Sequence, residues 1–211
     1  MKTAIIFDLD GTLLDTLGDL HAATNYVLAQ FGYPTRSIEE ICRFVGNGAE
    51  RLIRLAVPEG VDHQPVLAAF QHWYAAHCDV LTRPYDGIPE VLAALGEKYT
   101  LAVVSNKPDR AVKELAKIYF PTLYARGEDA DCPRKPAPDM VYQAMATLRA
   151  DRCIYIGDSD VDIATAKNAG VPCISVTWGF RGEVELRAAG GTYFCHTPAD
   201  LPNMIEKILQ R

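Results

Sequence analysis

The sequence contains little that would direct the protein to a membrane or to nucleic acid. It has no run of about 18 apolar residues, the length that a membrane-spanning helix needs. It also lacks a surplus of positive charge, because 27 acidic residues outnumber 21 basic ones and give a net charge of −6. An acidic protein is a poor general ligand for nucleic acid or anionic membranes. We therefore expect neither of them as a partner.

The sequence also lacks the cysteine spacing of a zinc or redox site. None of its six cysteines belongs to a CxxC pair, and their spacings are wide and irregular, so we expect reduced, buried thiols. The apolar run at residues 4–7 ends at Asp8 and is too short for a secretory signal. Both observations predict a cytoplasmic protein.

What the sequence does contain is an alternation of short apolar runs with longer helical patterns. The runs are rich in β-branched residues and almost continuously apolar, which is typical of parallel strands covered on both faces. Strands alternating with helices favour a doubly wound, Rossmann-like α/β domain with a parallel sheet. The predicted strands are 3–7, 100–105, 122–125, 152–157 and 172–177, and the predicted helices are 87–97, 109–119, 138–148 and 161–168.

One segment interrupts this alternation. From about residue 17 to residue 81 the pattern is helical, with breaks at Gly, Pro and Asn, and shows no convincing strand. It predicts an all-α insertion after the first strand. We therefore divide the chain into an α/β core of residues 1–16 and 83–211 and an inserted helical cap of residues 17–82.

Acidic residues stand at the end of the first predicted strand. Asp8 and Asp10 are two residues apart in extended backbone, so their side chains point to the same side, and Gly11 allows a tight turn after them. Two neighbouring carboxylates repel each other unless a cation lies between them or one of them holds a proton. Mg²⁺, which prefers oxygen ligands, would meet the first condition. The structural alternative is a solvated turn in which Asp accepts local hydrogen bonds.

A second acidic cluster, IGDSDVD, follows a later predicted strand. Because ligands of open α/β sheets bind beyond the carboxyl ends of the strands, we expect Asp158 beside Asp8 as another metal ligand. Asp162 has two interpretations: a place near the metal, or a capping box with Ser159 at the next helix. Asp160 is expected on the surface.

Two further segments carry polar groups that could bind phosphate. Ser105 and Asn106 open the segment SNKPDR, where a hydroxyl and backbone N–H groups at a helix start form either a phosphate site or a plain cap. Lys135 precedes Pro136, and the prolines hold the chain extended, which fixes where this lysine projects. The alternative for an isolated lysine is a solvated surface position.

Together these segments resemble the haloacid dehalogenase-like hydrolase superfamily. The first motif corresponds to Asp8-Leu9-Asp10-Gly11-Thr12, the second to Ser105, the third to Lys135 in KP, and the fourth to GDSDVD with Asp158 and Asp162. Order and rough spacing agree along nearly the whole chain. The helical insertion lies where this superfamily carries its cap.

The resemblance implies a mechanism with an aspartyl-phosphate intermediate. Asp8 would attack phosphorus, and Asp10 would protonate the leaving oxygen and later deprotonate the attacking water. Mg²⁺ would be held by the Asp8 carboxylate, the Asp10 backbone carbonyl and the Asp158 carboxylate. Lys135 would pair with Asp8 and the phosphate, and Ser105 would bond to a phosphate oxygen.

The same resemblance assigns further contacts to the transferring phosphoryl group. Thr12 would help to cradle it, and Asn106 would be a substrate-binding neighbour of Ser105. Asp10 also separates reaction types, because superfamily members that dehalogenate carry a different residue there and a halide leaves without a proton. The resemblance therefore favours a phosphatase over a dehalogenase.

The segments VVSNKPD, RKPAPD, SVTWGFR and VGNGAERLI are similar to the phosphoglycolate phosphatase group. This similarity implies a small phosphorylated metabolite as substrate, with 2-phosphoglycolate as a candidate. In the cap, Gly46-Asn47-Gly48 would lie near the mouth of the site or form a plain turn. Arg51 and Arg54 would meet a substrate carboxylate or belong to a solvated helix face.

Two other functions stay open at this point. A β-phosphoglucomutase-like sugar phosphotransferase carries a histidine at a fixed offset after the nucleophile, whereas here His21 falls one position late and Leu20 occupies the matching place. A catalytically idle binding module of the same fold is the second alternative, although the complete set of charged motif residues argues against it. We expect a monomer or a homodimer.

Overall fold

The apolar runs of the sequence form a six-stranded sheet in the order β5-β4-β1-β6-β7-β8. The computed structural model of the protein describes residues 1–210. All neighbouring strands of this sheet are parallel, and a separate antiparallel pair joins β2 to β3. The strands are β1 (Thr3–Phe7), β2 (Leu14–Asp15), β3 (Arg83–Pro84), β4 (Thr100–Pro108), β5 (Tyr124–Glu128), β6 (Arg152–Gly157), β7 (Cys173–Val176) and β8 (Tyr193–Cys195).

Helices cover both faces of the sheet and build the insertion. The helices within residues 1–210 are α1 (Leu17–Gln30), α2 (Ile38–Phe44), α3 (Gly48–Ala56), α4 (Gln64–Tyr74), α5 (Ile88–Gly96), α6 (Asp109–Tyr119), α7 (Asp139–Leu148), α8 (Asp160–Ala169), α9 (Glu183–Ala188) and α10 (Leu201–Leu209). A short 3₁₀ helix, Pro198–Asp200, leads into the last of them.

The central strand β1 shows why its sequence is almost continuously apolar. It pairs with β4 on one side and with β6 on the other, and every residue in it is buried. Ile5 and Phe7 pack into one hydrophobic cluster, whereas Ala4 and Ile6 pack into a second cluster with α7. Because both faces of the strand are covered, neither face needs polar residues.

The order of the strands brings three strand ends together. The chain runs from β1 outward to β4 and β5, then returns to the other side of β1 for β6, β7 and β8. This crossover leaves the carboxyl ends of β1, β4 and β6 side by side, which is where open α/β sheets bind ligands. Asp8 follows β1, Asp158 follows β6, and Ser105 lies near the end of β4.

The insertion after β1 consists of α1 to α4, which we call the cap helices. The two segments that connect it to the sheet run side by side, because β2 pairs with β3. The buried Asp19 carboxylate accepts hydrogen bonds of 2.8–3.1 Å from the backbone N–H groups of Leu81 and Thr82 and from the Thr82 hydroxyl. These bonds fasten the start of α1 to the returning segment.

The predicted α/β class with an inserted helical segment is confirmed. Each predicted strand and core helix occurs, and β4 extends beyond its predicted end at residue 105 to Pro108. The elements β8, α9 and α10 were not predicted. Strand β8 has three residues at the edge of the sheet, of which Tyr193 and Phe194 are only half-buried, so its apolar pattern is too short to stand out.

The helix lengths and the cysteines can be compared directly with the sequence. Within residues 1–210, no helix is both long enough and apolar enough to cross a bilayer. The six cysteines are free thiols, four of them buried and two half-buried: Cys78, Cys132, Cys153 and Cys195, and Cys42 and Cys173.

Candidate active site

The strand ends meet a small cavity between the sheet and the cap helices. Its volume is about 50 Å³, enough for about three to five water molecules. The sheet side contributes polar residues, namely Asp8, Asp10, Ser105, Asn106, Lys107 and Asp158. The cap side contributes mainly apolar ones, namely Leu20, Val45, Leu52, Phe70 and Tyr74. The cavity therefore has a polar floor and a largely apolar roof.

Three buried carboxylates form a cluster, and two of them, Asp8 and Asp158, line this cavity. Asp8, Asp158 and Asp162 each offer an oxygen within 4.8 Å of the others. Burial raises the pKa of Asp8 to about 7, with Lys135 opposing this shift and Asp162 adding to it. Burial, reinforced by Asp162 and Asp8, raises the pKa of Asp158 to about 8. Without a further cation, the cluster therefore holds protons at neutral pH.

Asp158 is oriented by two protein donors. The Thr12 hydroxyl donates to Oδ1 at 2.9 Å, and the backbone N–H of Phe180 donates to Oδ2 at 2.8 Å. Glycines allow this packing, because a Cβ on Gly11 would overlap the Asp158 carboxylate and a Cβ on Gly179 would overlap the Gly11 carbonyl oxygen. Thr12 thus holds a predicted metal ligand in this structure, and its contact with phosphate stays a prediction.

Asp162 forms the predicted helix cap, and it also lies beside the predicted metal ligands Asp8 and Asp158, so its place near a metal stays a prediction. Asp162 and Ser159 form a capping box at the start of α8, with the Ser159 hydroxyl donating to Oδ2 at 2.6 Å. Oδ1 accepts from the Lys135 ammonium at 2.8 Å and from the Tyr155 hydroxyl at 3.1 Å. Protein groups therefore donate to both carboxylate oxygens of Asp162. Because one of these donors is the Lys135 ammonium, Asp162 also orients Lys135.

The Lys135 ammonium lies buried between two carboxylates. Its Nζ is 2.9 Å from Asp8 Oδ1 and 2.8 Å from Asp162 Oδ1, and the lysine side chain is 1% exposed. Burial lowers the pKa of Lys135, but the facing Asp162 and Asp8 carboxylates outweigh burial and hold it above its usual value. Lys135 is therefore a permanent cation beside Asp8.

Asn106 fixes the backbone of Lys135. Its Oδ1 accepts from the Lys135 N–H at 2.8 Å, and its Nδ2 donates to the Lys135 carbonyl at 2.9 Å and to the Gly46 carbonyl at 3.4 Å. Ser105 is buried and lines the cavity, and its hydroxyl accepts from the Lys107 N–H at 3.4 Å. The Asn106 amide is thus engaged by backbone groups, and substrate binding stays a prediction for Asn106 and for Ser105.

Asp10 has a buried lysine partner that the sequence reasoning missed. Lys107 Nζ lies 2.8 Å from Asp10 Oδ1, and these side chains are 3% and 14% exposed. Lys107 also donates to the Tyr74 hydroxyl at 2.6 Å. Burial lowers the pKa of Lys107, but Asp10 and then Tyr74 outweigh it and hold the pKa above its usual value. A signal was available, because Lys107 stands directly before a proline, as Lys135 does.

Arg181, a second residue that the sequence reasoning missed, connects the sheet to the cap helices. Its guanidinium donates to the carbonyls of Cys42 at 2.8 Å, Val45 at 2.7 Å and Arg43 at 3.3 Å. These carbonyls stand at the end of α2, where unpaired carbonyl groups and the helix dipole favour a cation. In this structure the cap is therefore fastened over the cavity.

The cap residues with open roles divide between the cavity and the surface. Gly46 and Gly48 line the cavity. Asn47 and Arg51 border a separate surface notch beside α2 and α9, and Arg51 and Arg54 are exposed on α3. For the two arginines the structure therefore favours the solvated helix face over contact with a substrate carboxylate.

The residues around Asp8 and Asp158 fit a hard divalent cation. Both offer carboxylate oxygens, the ligand type that Mg²⁺ prefers. When ionised, Asp8, Asp158 and Asp162 carry three negative charges against the single positive charge of Lys135. Two negative charges then remain unbalanced, and a dication would neutralise them.

A known family profile, described as haloacid dehalogenase-like hydrolase, matches residues 5–176 of this sequence. The chain belongs to this family. It is 35% identical to a phosphoglycolate phosphatase of Rhodobacter capsulatus, with 98% of each chain covered. It is 36% identical to one of Cereibacter sphaeroides, with 97% of this chain and 98% of that relative covered. These relatives place the hydrolase in the phosphoglycolate phosphatase-like group of phosphoric monoester hydrolases.

Solved structures repeat the fold of this hydrolase. A protein from Lactobacillus delbrueckii subsp. bulgaricus has a TM-score of 0.89 at 35% identity, with 97% of each chain covered. A haloacid dehalogenase-like hydrolase from Streptococcus pneumoniae has a TM-score of 0.88 at 24% identity, with 97% of this chain and 98% of the other covered. The resemblance seen in the sequence motifs is therefore confirmed.

Proposed function

We propose that this hydrolase is a Mg²⁺-dependent phosphatase that cleaves a small phosphorylated metabolite through an aspartyl-phosphate on Asp8. The observation that carries the proposal is the 2.9 Å pair between Asp8 and the buried Lys135, with Asp158 in the same cluster. An anionic nucleophile repels an anionic phosphate ester unless fixed positive charge lies beside both. Lys135 supplies such a charge at the nucleophile.

The chain's own residues account for both halves of the reaction. An Asp8 oxygen bonds to phosphorus while the bond from phosphorus to the ester oxygen breaks, and Asp10 gives that oxygen its proton. Water then attacks phosphorus and passes a proton to Asp10, and the bond from phosphorus to Asp8 breaks to release phosphate. Ser105 and Lys135 hold the phosphoryl oxygens during both steps.

The metal has a defined place in this proposal. Asp8, Asp158 and the backbone carbonyl of Asp10 would hold Mg²⁺, which would supply charge neutralisation between the nucleophile and the phosphate. The unbalanced negative charge of the buried carboxylates supports this assignment.

The small cavity supports 2-phosphoglycolate as the first substrate to test. Its volume of about 50 Å³ leaves little room for a long leaving group. The relatives at 35–36% identity are named phosphoglycolate phosphatases. In this proposal, residues 1–16 and 83–211 form the catalytic core, and residues 17–82 form a cap that selects the substrate.

Two substitutions test the nucleophile. Asp8→Asn should lower the turnover of 4-nitrophenyl phosphate by about 10³-fold or more, and EDTA should have a similar effect on the native protein. Asp15→Asn is the matched control, because Asp15 is exposed and its carboxylate accepts from the Leu17 N–H at the start of α1. Undiminished turnover by Asp8→Asn would overturn the mechanism. A screen of phosphorylated metabolites by kcat/KM then tests the substrate.

The structure offers less support for a sugar phosphotransferase. The His21 ring bonds to the Arg36 carbonyl at 3.1 Å, within the cap, while Leu20 lines the cavity. An apolar side chain therefore faces the site where the mutase pattern expects a histidine. Incubation with a glucose 1-phosphate should release phosphate and form no isomeric sugar phosphate. Metal-dependent turnover of any phosphate ester would exclude the catalytically idle binding module.

A further inference from the structure

The partly buried Asp10 and two buried side chains, Lys107 and Tyr74, form a continuous chain of polar contacts from the core into the cap. Asp10 Oδ1 accepts from Lys107 Nζ at 2.8 Å, and Lys107 Nζ donates to the Tyr74 hydroxyl at 2.6 Å. Lys107 is 5% exposed and Tyr74 is 3% exposed. Because the contact between Lys107 and Tyr74 is buried, it constrains the lysine more strongly than a surface contact would.

The lysine contact leaves one side of the Asp10 carboxylate free. Among residues 1–210, Lys107 is the only donor to this carboxylate, and it takes Oδ1. Asp10 lines the cavity, and its Oδ2 accepts no hydrogen bond from these residues. A group that exchanges a proton with a substrate must lie within hydrogen-bond reach in the right orientation. The contact at Oδ1 therefore restricts how the free oxygen is presented.

The position of the lysine depends on the cap. Tyr74 is the last residue of α4, and its ring stacks on Phe70 with centroids 5.2 Å apart. Lys107 Nζ also lies 4.7 Å from the centroid of the Tyr74 ring. Since Tyr74 belongs to the cap and Lys107 to β4, this contact exists only while the cap is seated on the core.

We propose that Lys107 is a positioning residue for Asp10, and that Tyr74 makes this positioning depend on the seated cap. The inference rests on the proposed function, because it takes Asp10 as the group that protonates the leaving oxygen. Lys107 acts through Asp10 and makes no bond to phosphorus. Its removal should therefore harm a reaction in proportion to how much the leaving group needs a proton.

Leaving-group dependence is the measurement that tests this role. Lys107→Met should lower kcat/KM by about 10²-fold for 2-phosphoglycolate and for ethyl phosphate, whose alkoxide products need protonation. It should lower kcat/KM by less than about 5-fold for 2,4-dinitrophenyl phosphate, whose phenolate leaves without a proton. Tyr74→Phe should give the same dependence on the leaving group with smaller losses in kcat/KM. If Lys107→Met does not fold, Tyr74→Phe alone tests the proposal.

Matched variants separate positioning from general damage. Lys98→Met removes an exposed lysine that forms a 2.8 Å pair with Glu206, and Tyr26→Phe removes an exposed hydroxyl of the cap. Both should leave all three kcat/KM values within about 2-fold of the native protein. Equal losses on all three esters for Lys107→Met would indicate a purely structural role and overturn the proposal. A loss confined to 2-phosphoglycolate would make Lys107 a ligand of the substrate carboxylate and overturn it as well.

Asp10→Asn distinguishes failure of this inference from failure of the proposed function. If Asp10 protonates the leaving group, Asp10→Asn should show the same selectivity for alkyl esters with a larger loss. Absence of that selectivity in Asp10→Asn would remove the proposed role of Asp10 itself. Suppose instead that Asp10→Asn shows the selectivity for alkyl esters but Lys107→Met and Tyr74→Phe do not. The proposed function would then stand, and the positioning role of Lys107 would be refuted.

Discussion

Adding Mg²⁺ should stabilise the folded protein, and the gain should shrink as the pH falls from 8 to 6. Burial raises the pKa of Asp8 to about 7 and that of Asp158 to about 8. Both values lie above those of an unfolded chain, so the metal-free folded state binds more protons between about pH 4 and pH 8. Its stability therefore falls as the pH rises through this range. Mg²⁺ binds the ionised carboxylates and should reverse that loss.

The two pKa values set the size of the effect. At pH 8 at least half of each carboxylate population is ionised, whereas at pH 6 the ionised fractions are about one in ten for Asp8 and one in a hundred for Asp158. The apparent affinity for Mg²⁺ should therefore fall by about two to three orders of magnitude. At about 100 times Kd, the metal should add about 2.7 kcal/mol to the free energy of unfolding. In a chain of this size, that raises Tm by about 5–11 °C.

Thermal unfolding at pH 8, 7 and 6, with and without Mg²⁺, measures this directly. Asp158→Asn should abolish the Mg²⁺-dependent rise in Tm. Asp160→Asn should keep it, because Asp160 is an exposed neighbour two residues further along. If the Tm of the native protein at pH 8 did not change on adding saturating Mg²⁺, the proposed metal site would be refuted. A rise of equal size at pH 6 and pH 8 would refute the role assigned to the raised pKa values.

Two further predictions concern the packing of the site. Lys135→Met leaves the buried Asp8 and Asp162 carboxylates without their cation and should lower the free energy of unfolding by about 3–5 kcal/mol at pH 8 in urea titrations. Lys98→Met should keep the native urea midpoint. A native midpoint for Lys135→Met would contradict the buried cluster of Lys135 with these two carboxylates. Gly179→Ala would force a Cβ against Asp158 and should weaken Mg²⁺ binding in calorimetry. In Gly182→Ala the new Cβ would meet only a Glu185 carboxylate oxygen, at 3.9 Å, an ordinary van der Waals contact, and this variant should bind Mg²⁺ normally. Equal Mg²⁺ affinity in both glycine variants would contradict the close packing.

The fold was predictable because its signals are local in the sequence. Strands β1, β4, β6 and β7 begin as or consist of short apolar runs, and helical patterns alternate with them along the chain. The parallel arrangement then places strand ends together without any knowledge of side-chain contacts. For this reason Asp8 and Asp158 could be named as neighbours although 150 residues separate them in the chain.

The cap side of the site was not predictable, because it depends on which faces of the cap helices turn inward. Tyr74 and Lys107 are 33 residues apart, and Lys107 and Asp10 are 97 residues apart. No local pattern marks such pairs. The roles of Arg51 and Arg54 stayed open for the same reason, and the structure places both on the exposed side of α3.

The aspartates at the end of β1 also show how a strand end tolerates clustered charge. Asp8 and Asp10 repel each other less than their spacing implies, because each has its own buried lysine 2.8–2.9 Å away. Lys135 and Lys107 both precede a proline, which keeps the backbone of the preceding residue out of the helical region. Lys107 lies in β4, whereas Lys135 lies in a turn before α7. Lys107 faces Asp10, and Lys135 faces both Asp8 and Asp162. Because the two pairs use separate lysines, one pair can hold the nucleophile while the other orients the proton-transfer group.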